Sequence, residues 1–341
     1  MFYLSSNTVG IFRCFGSWAV FFFYCLNVFS QQLPQYAQYL QNNFLLNPAL
    51  AGIESYADAR MGYRQQWVGL DDAPRTFYMT AHLPINNPDF QIEPASPRFA
   101  FGRQTAPIVP DAHGGLGLTI LRDQTGPWTR FSLSMAGAYH YPLGDYWQVS
   151  TGIALGLTQH SMDMDRIRLA NPQDPLALSG RFNSLRPDVH AGLWVYSPEF
   201  FAGLSVQQLT GGKLRFRTPD YDWQGTLSPH YFFTTGYRLS LLEDWDFTPS
   251  VLFKKTKNAP LSWDFNLKVS YLHQFWIGAS YRLRDAALIW GGLRFAQKFT
   301  LSYTYEHILS TLQSTARTSH ELTLGLTLGN RDHYTSPRSF W

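Results

Sequence analysis

The sequence predicts an all-β protein that consists of one transmembrane antiparallel β-barrel, with about fourteen strands. The first observation is an alternation of apolar and polar residues with a period of two. In residues 263–271, Trp, Phe, Leu, Val and Tyr form one face, and Asp, Asn, Lys and Ser form the other. That period indicates an extended strand. The apolar face is aliphatic in the middle and aromatic at both ends, which is typical of a lipid-facing strand between two aromatic girdles.

The second observation is that this pattern recurs, for example in residues 130–141, 147–158, 298–306 and 322–328. One such strand alone could belong to a soluble sandwich. Many of them, with almost no helical periodicity, favour a closed barrel, because an open edge in lipid would leave backbone groups unpaired. The predicted strands begin near Tyr56, Arg75, Gly114, Trp128, Trp147, Asp188, Glu199, Pro229, Trp245, Leu261, Phe275, Ala287, Lys298 and Ser319.

The third observation is that short and long connections alternate. Tight turns at residues 143–145, 197–198, 243–244 and 273–274 fall on one side, which we predict to be periplasmic with both termini. Longer loops at residues 161–186 and 209–228 fall on the other side. Short inner turns and long outer loops are the asymmetry expected of an outer-membrane barrel.

The N-terminal residues predict an exported protein. Residues 1–30 have a positive Arg13 and then an apolar stretch too short to span a bilayer as a helix, so we interpret them as a signal peptide. Cys14 and Cys25 both lie in it, which leaves the mature chain without a disulfide or thiol chemistry. We divide the remainder into a periplasmic or plug segment (31–54), the barrel (55–329) and a periplasmic tail (330–341), and we predict the bacterial outer membrane as its location.

Composition agrees with that location. Aromatic residues make up 16% of the chain and charged residues only 15%, which suits a barrel with lipid-facing girdles better than a soluble enzyme. The net charge of +3 is too small, and too dispersed, to predict a nucleic-acid partner.

Two segments break the barrel pattern. Residues 85–111 are long and proline-rich on the side of the tight turns, and Phe90, Phe99 and Phe101 are among their apolar residues. Residues 33–51 are aromatic and polar, and we expect them to pack at the periplasmic mouth or inside the lumen. Apolar groups at an aqueous rim are stable only when other apolar surface covers them. We therefore predict that the two segments pack together as a periplasmic cap. A plain variable excursion is the alternative for residues 85–111.

Several motifs in order resemble the PorP/SprF family. They are PQYAQY (34–39), NPALAG (47–52), YRQQWVG (63–69) and APRT (73–76), followed by GLGLT (115–119), GASYR (278–282) and SHEL (319–322). The combination is specific, and it covers nearly the whole mature chain. One departure is Asp72, where the family usually has glycine.

The resemblance implies a non-enzymatic outer-membrane component of the type IX secretion and gliding machinery. Such a barrel would assist export or surface attachment of cargo proteins that carry a C-terminal signal domain, and it would contact periplasmic secretion proteins. Its partners would be those proteins and outer-membrane lipid. No cofactor is implied.

The sequence also suggests candidate contact residues. Tyr63, Arg64, Gln66, Trp67 and Arg75 could form a polar-aromatic clamp at one rim, although a structural hairpin with a girdle Trp67 is the simpler explanation. Asn47 and Pro48 could anchor a plug, since Asn favours turns and Pro fixes the backbone.

Charged residues at inward positions could line an anion-preferring pore or hold a cargo carboxylate, or they could pair with one another to fill the lumen. They are Asp58, Arg60, Arg130, Arg238, Asp264, Lys268, Arg282, Arg284 and Arg294. The group formed by Glu306, His307, His320 and Glu321 is a weak metal candidate, because its spacing matches no ligand pattern.

Two other function classes remain open. A hatch-type transporter of hydrophobic small molecules would also carry an N-terminal Asn-Pro-Ala element, but it should have an apolar lumen pocket. An outer-membrane hydrolase would need a nucleophile and a base at strand ends, and no such constellation can be nominated.

Overall fold

The structure, a computed structural model, describes residues 37, 39–86, 111–167, 180–217, 222–242, 244–257, 259–296, 298–314, 316 and 318–329. The predicted signal peptide, most of the proline-rich segment with Phe90, Phe99 and Phe101, and the C-terminal tail lie outside the described residues.

The strands form one closed antiparallel barrel, which confirms the predicted fold class. Strand β1 pairs with β2 and with β17 and so closes the ring, and β10 with β11 forms one barrel strand interrupted at Arg238, giving fourteen in all. Strands β8 and β9 pair separately as a hairpin. The strands are β1 (Ala57–Val68), β2 (Arg75–Ile85), β3 (His113–Thr125), β4 (Trp128–Leu143), β5 (Trp147–Asp163), β6 (Arg181–Tyr196), β7 (Phe200–Gln207), β8 (Gly212–Arg217), β9 (Asp222–Leu227), β10 (His230–Tyr237), β11 (Leu239–Leu242), β12 (Trp245–Thr256), β13 (Ser262–Tyr271), β14 (Phe275–Arg282), β15 (Ala286–Phe295), β16 (Phe299–Ile308) and β17 (Thr318–Leu328).

Every predicted strand start lies within one residue of the observed one, except that of β6. We placed that start at Asp188, but β6 begins at Arg181. Pro187 made the prediction wrong, because proline cannot donate to a ladder. The Pro187 carbonyl accepts from the Thr210 hydroxyl on the side of β6 that faces β7. At this point there is no β6–β7 ladder, because β7 pairs with β6 only from Ala191 onward. The N–H that Pro187 lacks would point to the same side as its carbonyl, where no strand pairs with this part of β6.

The outer surface of the barrel is apolar. Leu155 on β5 and Ile277 on β14 are 62% and 61% exposed, and Leu133, Leu267 and Leu324, which the alternation predicts to face lipid, lie on the same outer face. A soluble protein rarely exposes so continuous an apolar surface. The inner face carries Ser, Thr, Gly and charged residues, many of them buried.

The two ends of the barrel differ. The loop end carries the connections 164–180, 208–229 and 309–317, and the turn end carries the tight connections 144–146, 197–199, 243–244 and 272–274. The connection after Ile85 belongs to the turn end. No helix among the described residues is long and apolar enough to cross a membrane.

Residues 37 and 39–54, which we call the plug, lie inside the lumen and are buried. Phe44, Leu45 and Leu46, three apolar residues of this segment, therefore lie inside the lumen, which was one of the two places expected for them, and not in a rim cap. The lumen offers them a groove of small residues, and burial there removes their apolar surface from water.

Candidate functional site

The plug runs through the lumen as two short 3₁₀ turns, Asn43–Leu45 and Pro48–Leu50, joined at Asn47. The Asn47 side chain caps the second turn by accepting from the Ala49 N–H at 3.0 Å. Pro48 fits the first position of that turn because its missing N–H would have no partner there. The Asn47 amide also donates to the Leu193 and Leu204 carbonyls at 3.1 Å each, so one side chain ties the plug to β6 and β7.

Glycines form the groove that receives the plug. A Cβ at Gly192 would overlap the Asn47 side chain, and one at Gly152 would overlap the backbone between Pro48 and Ala49. A Cβ at Gly115 would overlap the Ala51 carbonyl. Backbone can approach backbone this closely only where a side chain is absent, so these glycines on β3, β5 and β6 shape the wall to the plug.

Polar side chains of the same wall donate to the carbonyls of the plug. Each of these carbonyls would otherwise be a buried acceptor without a partner. The donors are Gln207 to Leu45 (2.7 Å), Ser205 to Leu46 (2.7 Å), Ser150 to Ala49 (2.8 Å), and His140 Nε2 to Ala51 (2.8 Å). His113 stacks on His140 with ring centroids 4.6 Å apart, and its Nε2 lies 3.2 Å from the Gly52 carbonyl.

The opposite wall carries ion pairs. Arg64 Nη2 lies 2.9 Å from Glu306 Oε2, and its Nη1 lies 3.4 Å from Glu321 Oε2. Arg282 pairs with Asp264 at 3.1 Å. All these side chains are buried, so each charge depends on its partners.

The start of the plug contacts this charged wall. Glu321 Oε2 accepts from the Ala37 N–H at 2.7 Å, while Glu321 Oε1 accepts from the Tyr78 hydroxyl at 2.8 Å. The Tyr39 hydroxyl donates to Asn266 at 3.1 Å. Burial raises the pKa of the Tyr39 hydroxyl well above its ordinary value, so the hydroxyl keeps its proton and remains a donor.

A cavity remains between the plug and strands β3–β7. Its volume is about 40 Å³, which is room for a few water molecules. Phe44, Leu45 and Pro48 of the plug line one side of it. The wall contributes Thr119, Leu121, Arg130, Ser132, Ser134, Ala136, Ala154, His190 and Gln207.

The predicted clamp residues do not converge. Tyr63 and Arg75 are exposed, whereas Arg64 lies in the lumen on the other face of β1 from Tyr63. Trp67 has a left-handed backbone (φ 55°) at a bulge, and its N–H donates to Ser319. The Gln66 N–H donates to the Pro74 carbonyl. Alternation puts neighbours on opposite faces, so these five residues serve separate local contacts.

Most of the predicted lumen charges do lie at inward positions. Arg60 pairs with Asp58 at 2.8 Å, Arg130 lies 3.7 Å from Asp188, and Lys268 lies 5.6 Å from the centroid of the Trp276 ring. Arg238, Asp264, Arg282 and Arg294 are also buried or half-buried. The prediction for Arg284 is wrong, because this residue lies exposed in the turn after β14 with a left-handed backbone.

The weak metal candidate is split by the wall. Glu306 and Glu321 face the lumen and bind Arg64, whereas the His320 Nδ1 contacts the Tyr303 hydroxyl on the outer face. In the described part of the chain, no group of three or more His, Cys, Asp or Glu residues is arranged to hold a metal ion.

The sequence analysis missed the groove glycines and the pair His113 and His140. A usable signal existed, since Gly115, Gly152 and Gly192 occupy inward positions of strands that otherwise carry side chains there. Without the plug's path, however, inward glycines look the same as any other small lumen residue.

Comparison with known protein families gives a match that covers most of the chain. The model of the family described as type IX secretion system membrane protein PorP/SprF matches residues 28–326. No curated protein matches the sequence.

Three solved structures are similar to this chain at low identity and low TM-score. The CymD monoaromatic hydrocarbon channel is 10% identical with a TM-score of 0.47, over 89% of this chain and 95% of that one. A Pseudomonas aeruginosa FadL homologue is 9% identical with a TM-score of 0.46, over 87% and 95%. The translocator domain of the autotransporter NalP from Neisseria meningitidis is 10% identical with a TM-score of 0.36, over 80% and 86%.

Proposed function

Because this chain belongs to the PorP/SprF family of type IX secretion system membrane proteins, we propose that it is a non-enzymatic component that assists export or surface attachment of cargo proteins. The protein is an outer-membrane β-barrel. Its proposed partners are cargo proteins with a C-terminal signal domain, periplasmic secretion proteins and outer-membrane lipid. It needs no cofactor for this role.

One observation carries the proposal: the plug occupies the lumen and is fixed to both walls. A barrel filled in this way does not offer a folded cargo a wide channel. Its action is therefore by contact at its two ends, with cargo at the loop end and periplasmic proteins at the turn end.

The proposed periplasmic docking segment is the long connection between Ile85 and Asp111, since every other turn-end connection is tight. Its apolar residues Phe90, Phe99 and Phe101 would pack on a partner. A segment of this length where a barrel needs only a tight turn has room for recognition.

Replacement tests this proposal. We expect a barrel in which a short turn replaces residues 86–110 to fold and reach the outer membrane, but to lose co-purification of periplasmic secretion proteins and export of its cargo. The matched control replaces the β8–β9 hairpin at the loop end and should keep the periplasmic partners. Survival of both partner binding and cargo export after the first replacement would contradict the proposal.

A hatch-type transporter of hydrophobic small molecules is the second candidate, and the plug inside the lumen is the observation that favours it. Uptake of labelled hydrophobic compounds by cells with and without the protein separates the two. A secretion component leaves uptake unchanged and alters the set of surface proteins.

A further inference from the structure

Two arginines on the outer face of the barrel have no partner within the described part of the protein. Arg75 on β2 and Arg122 on β3 are exposed at outward positions, and they alternate with the buried Thr76 and Leu121. Neither arginine side chain makes a hydrogen bond or an ion pair with any residue that the structure describes. Both charges are therefore available to a group from outside the protein.

The other charged side chains on the outer face of the described barrel strands do have partners. Arg181 pairs with Asp163 at 3.2 Å, and the Lys255 Nζ donates to the Ala259 carbonyl at 2.9 Å. All these charges lie toward the loop end, and the outward positions of the described strands near the turn end carry none. A charge on a lipid-facing wall is costly unless it reaches the interface and meets an opposite charge there.

The two arginines lie close enough to share one ligand. Arg75 pairs in register with Gln124, and Arg122 lies two positions before Gln124 on the same face of β3. Diagonal neighbours of this kind have Cα atoms about 7–8 Å apart, which is within the reach of two arginine side chains. No acidic residue lies at an outward position of β1–β4. The two like charges repel each other, and an anion bound to both would remove that repulsion.

The strand register also gives the height of the pair in the membrane. Arg122 pairs with Phe77 on one side and with Phe131 on the other, and Phe77 pairs in turn with Tyr63. Arg122 thus lies in a row of aromatic side chains, which marks the boundary between the hydrocarbon and the headgroups. Arg75 lies one row farther from the membrane centre. Both guanidinium groups therefore lie at the level of the lipid headgroups.

The row below the arginines is aliphatic. Met79 on β2 pairs with Ile120 on β3, which pairs with Leu133 on β4. Met79 and Leu133 are 36% and 41% exposed on the outer face, where they contact acyl chains. A ligand that matches the whole patch has an anionic group directly above acyl chains. A lipid has this arrangement, whereas a soluble polyanion does not.

We propose that Arg75 and Arg122 bind a phosphate group on a glycolipid of the outer leaflet, with its acyl chains against Met79, Ile120 and Leu133. Each guanidinium presents a fork of N–H donors that fits two phosphate oxygens. The choice of the outer leaflet rests on one part of the proposed function, namely that the loop end faces the cell exterior. The secretion role itself is not needed for this site.

Native mass spectrometry of the purified full-length barrel in an uncharged detergent tests the site by titration with lipid A. The same lipid without its phosphates is the control probe, and inorganic phosphate is the competitor. We expect the wild type to bind lipid A about tenfold or more tightly than the dephosphorylated lipid, because charge-assisted hydrogen bonds are lost with the phosphates. Inorganic phosphate at equal concentration should not displace lipid A, since it has no acyl chains.

Variants locate the site. The double variant Arg75→Gln and Arg122→Gln should bind lipid A no more tightly than the wild type binds the dephosphorylated lipid. Lys255→Gln is the matched control, because it removes one cation at the same end and on the same outer face but on β12. It should bind lipid A as the wild type does. Heat-resistant migration of each variant shows that the barrel is folded.

Four results would overturn the proposal: equal binding of the two lipids by the wild type, displacement of lipid A by inorganic phosphate at equal concentration, unchanged binding by the double variant, or the same loss in Lys255→Gln. The measurement uses neither cargo nor periplasmic partners. The proposed secretion role and this lipid site can therefore fail separately.

Discussion

The two halves of the lumen wall hold the plug by different physical means. Strands β3–β7 fit it closely, through glycines that admit its backbone and through hydroxyl, amide and imidazole donors to its carbonyls. Strands β1 and β13–β17 instead form an ion-pair network that meets the plug at Ala37 and Tyr39. A fitted wall therefore depends on side chains that are absent, whereas a charged wall depends on charged side chains that compensate one another.

Removing a cation from the charged half should have the largest effect. Arg64→Met leaves Glu306 and Glu321 buried without the guanidinium between them. We expect the free energy of unfolding to fall by about 3–5 kcal/mol, the usual loss when one partner of a buried pair is removed. Denaturant titration of the barrel in lipid measures it. Arg75→Met, at an exposed position, is the control, and a loss for Arg64→Met no larger than the control's would show that water satisfies the acids.

The outer face should not distinguish the two halves. Leu155→Arg on the fitted side and Leu267→Arg on the charged side each place a cation against lipid. Both should cost about 2–4 kcal/mol of unfolding free energy if they lie near the midplane. The same titration checks this, and heat-resistant migration of both variants at wild-type levels would mean that the lipid-facing assignment is wrong.

A smaller effect is expected from the histidine that donates to the plug. His140→Phe leaves the Ala51 carbonyl as a buried acceptor without its donor, at a cost of about 1–3 kcal/mol to the docked plug. A cysteine at Ala49 should then react faster with a membrane-impermeant maleimide. His320→Phe removes a histidine from the outer face and should leave the labelling rate unchanged. Equal labelling in the two backgrounds would mean that His140 does not hold the plug.

The smallest effect is expected at Asp72, in the loop-end turn after β1. Its φ of 57° lies in the left-handed region that favours glycine, and its carboxylate pairs with Arg166. Asp72→Gly removes the strain and also the exposed ion pair, so stability should change by no more than about 0.5 kcal/mol. A loss several times larger in denaturant titration would show that the Arg166 contact holds the loops together.

The barrel could be predicted from the sequence because the residue pattern within each strand is sufficient to define the two faces of that strand. Alternation with a period of two fixes both faces of residues 263–271 without any knowledge of neighbours, and aromatic ends mark the membrane boundaries. β6 departs from this rule at its first half, where the outward residues Arg181 and Asn183 are polar and Pro187 interrupts the ladder pattern.

The site was predicted less completely, since it depends on contacts far apart in the chain. Asn47 was identified as an anchor from its local turn chemistry, which acts over two residues. Its partner Gly192 follows it by 145 positions and has no side chain to suggest a role. The clamp at Tyr63 and Arg64 was assembled from sequence proximity, although alternation sends the two side chains to opposite faces.

Single-channel recording in planar bilayers tests the central claim most directly, namely that a plug fitted to the glycine wall fills the lumen. The wild type should conduct little. Gly152→Leu should conduct strongly, because its side chain would occupy the place of the plug backbone between Pro48 and Ala49. Gly325→Leu is the matched control on the other half, where a Cβ meets Thr300 and Arg60 and no plug residue, and it should behave as the wild type does. A wild type that conducts as an open pore, or a Gly152→Leu variant as closed as Gly325→Leu, would contradict the account.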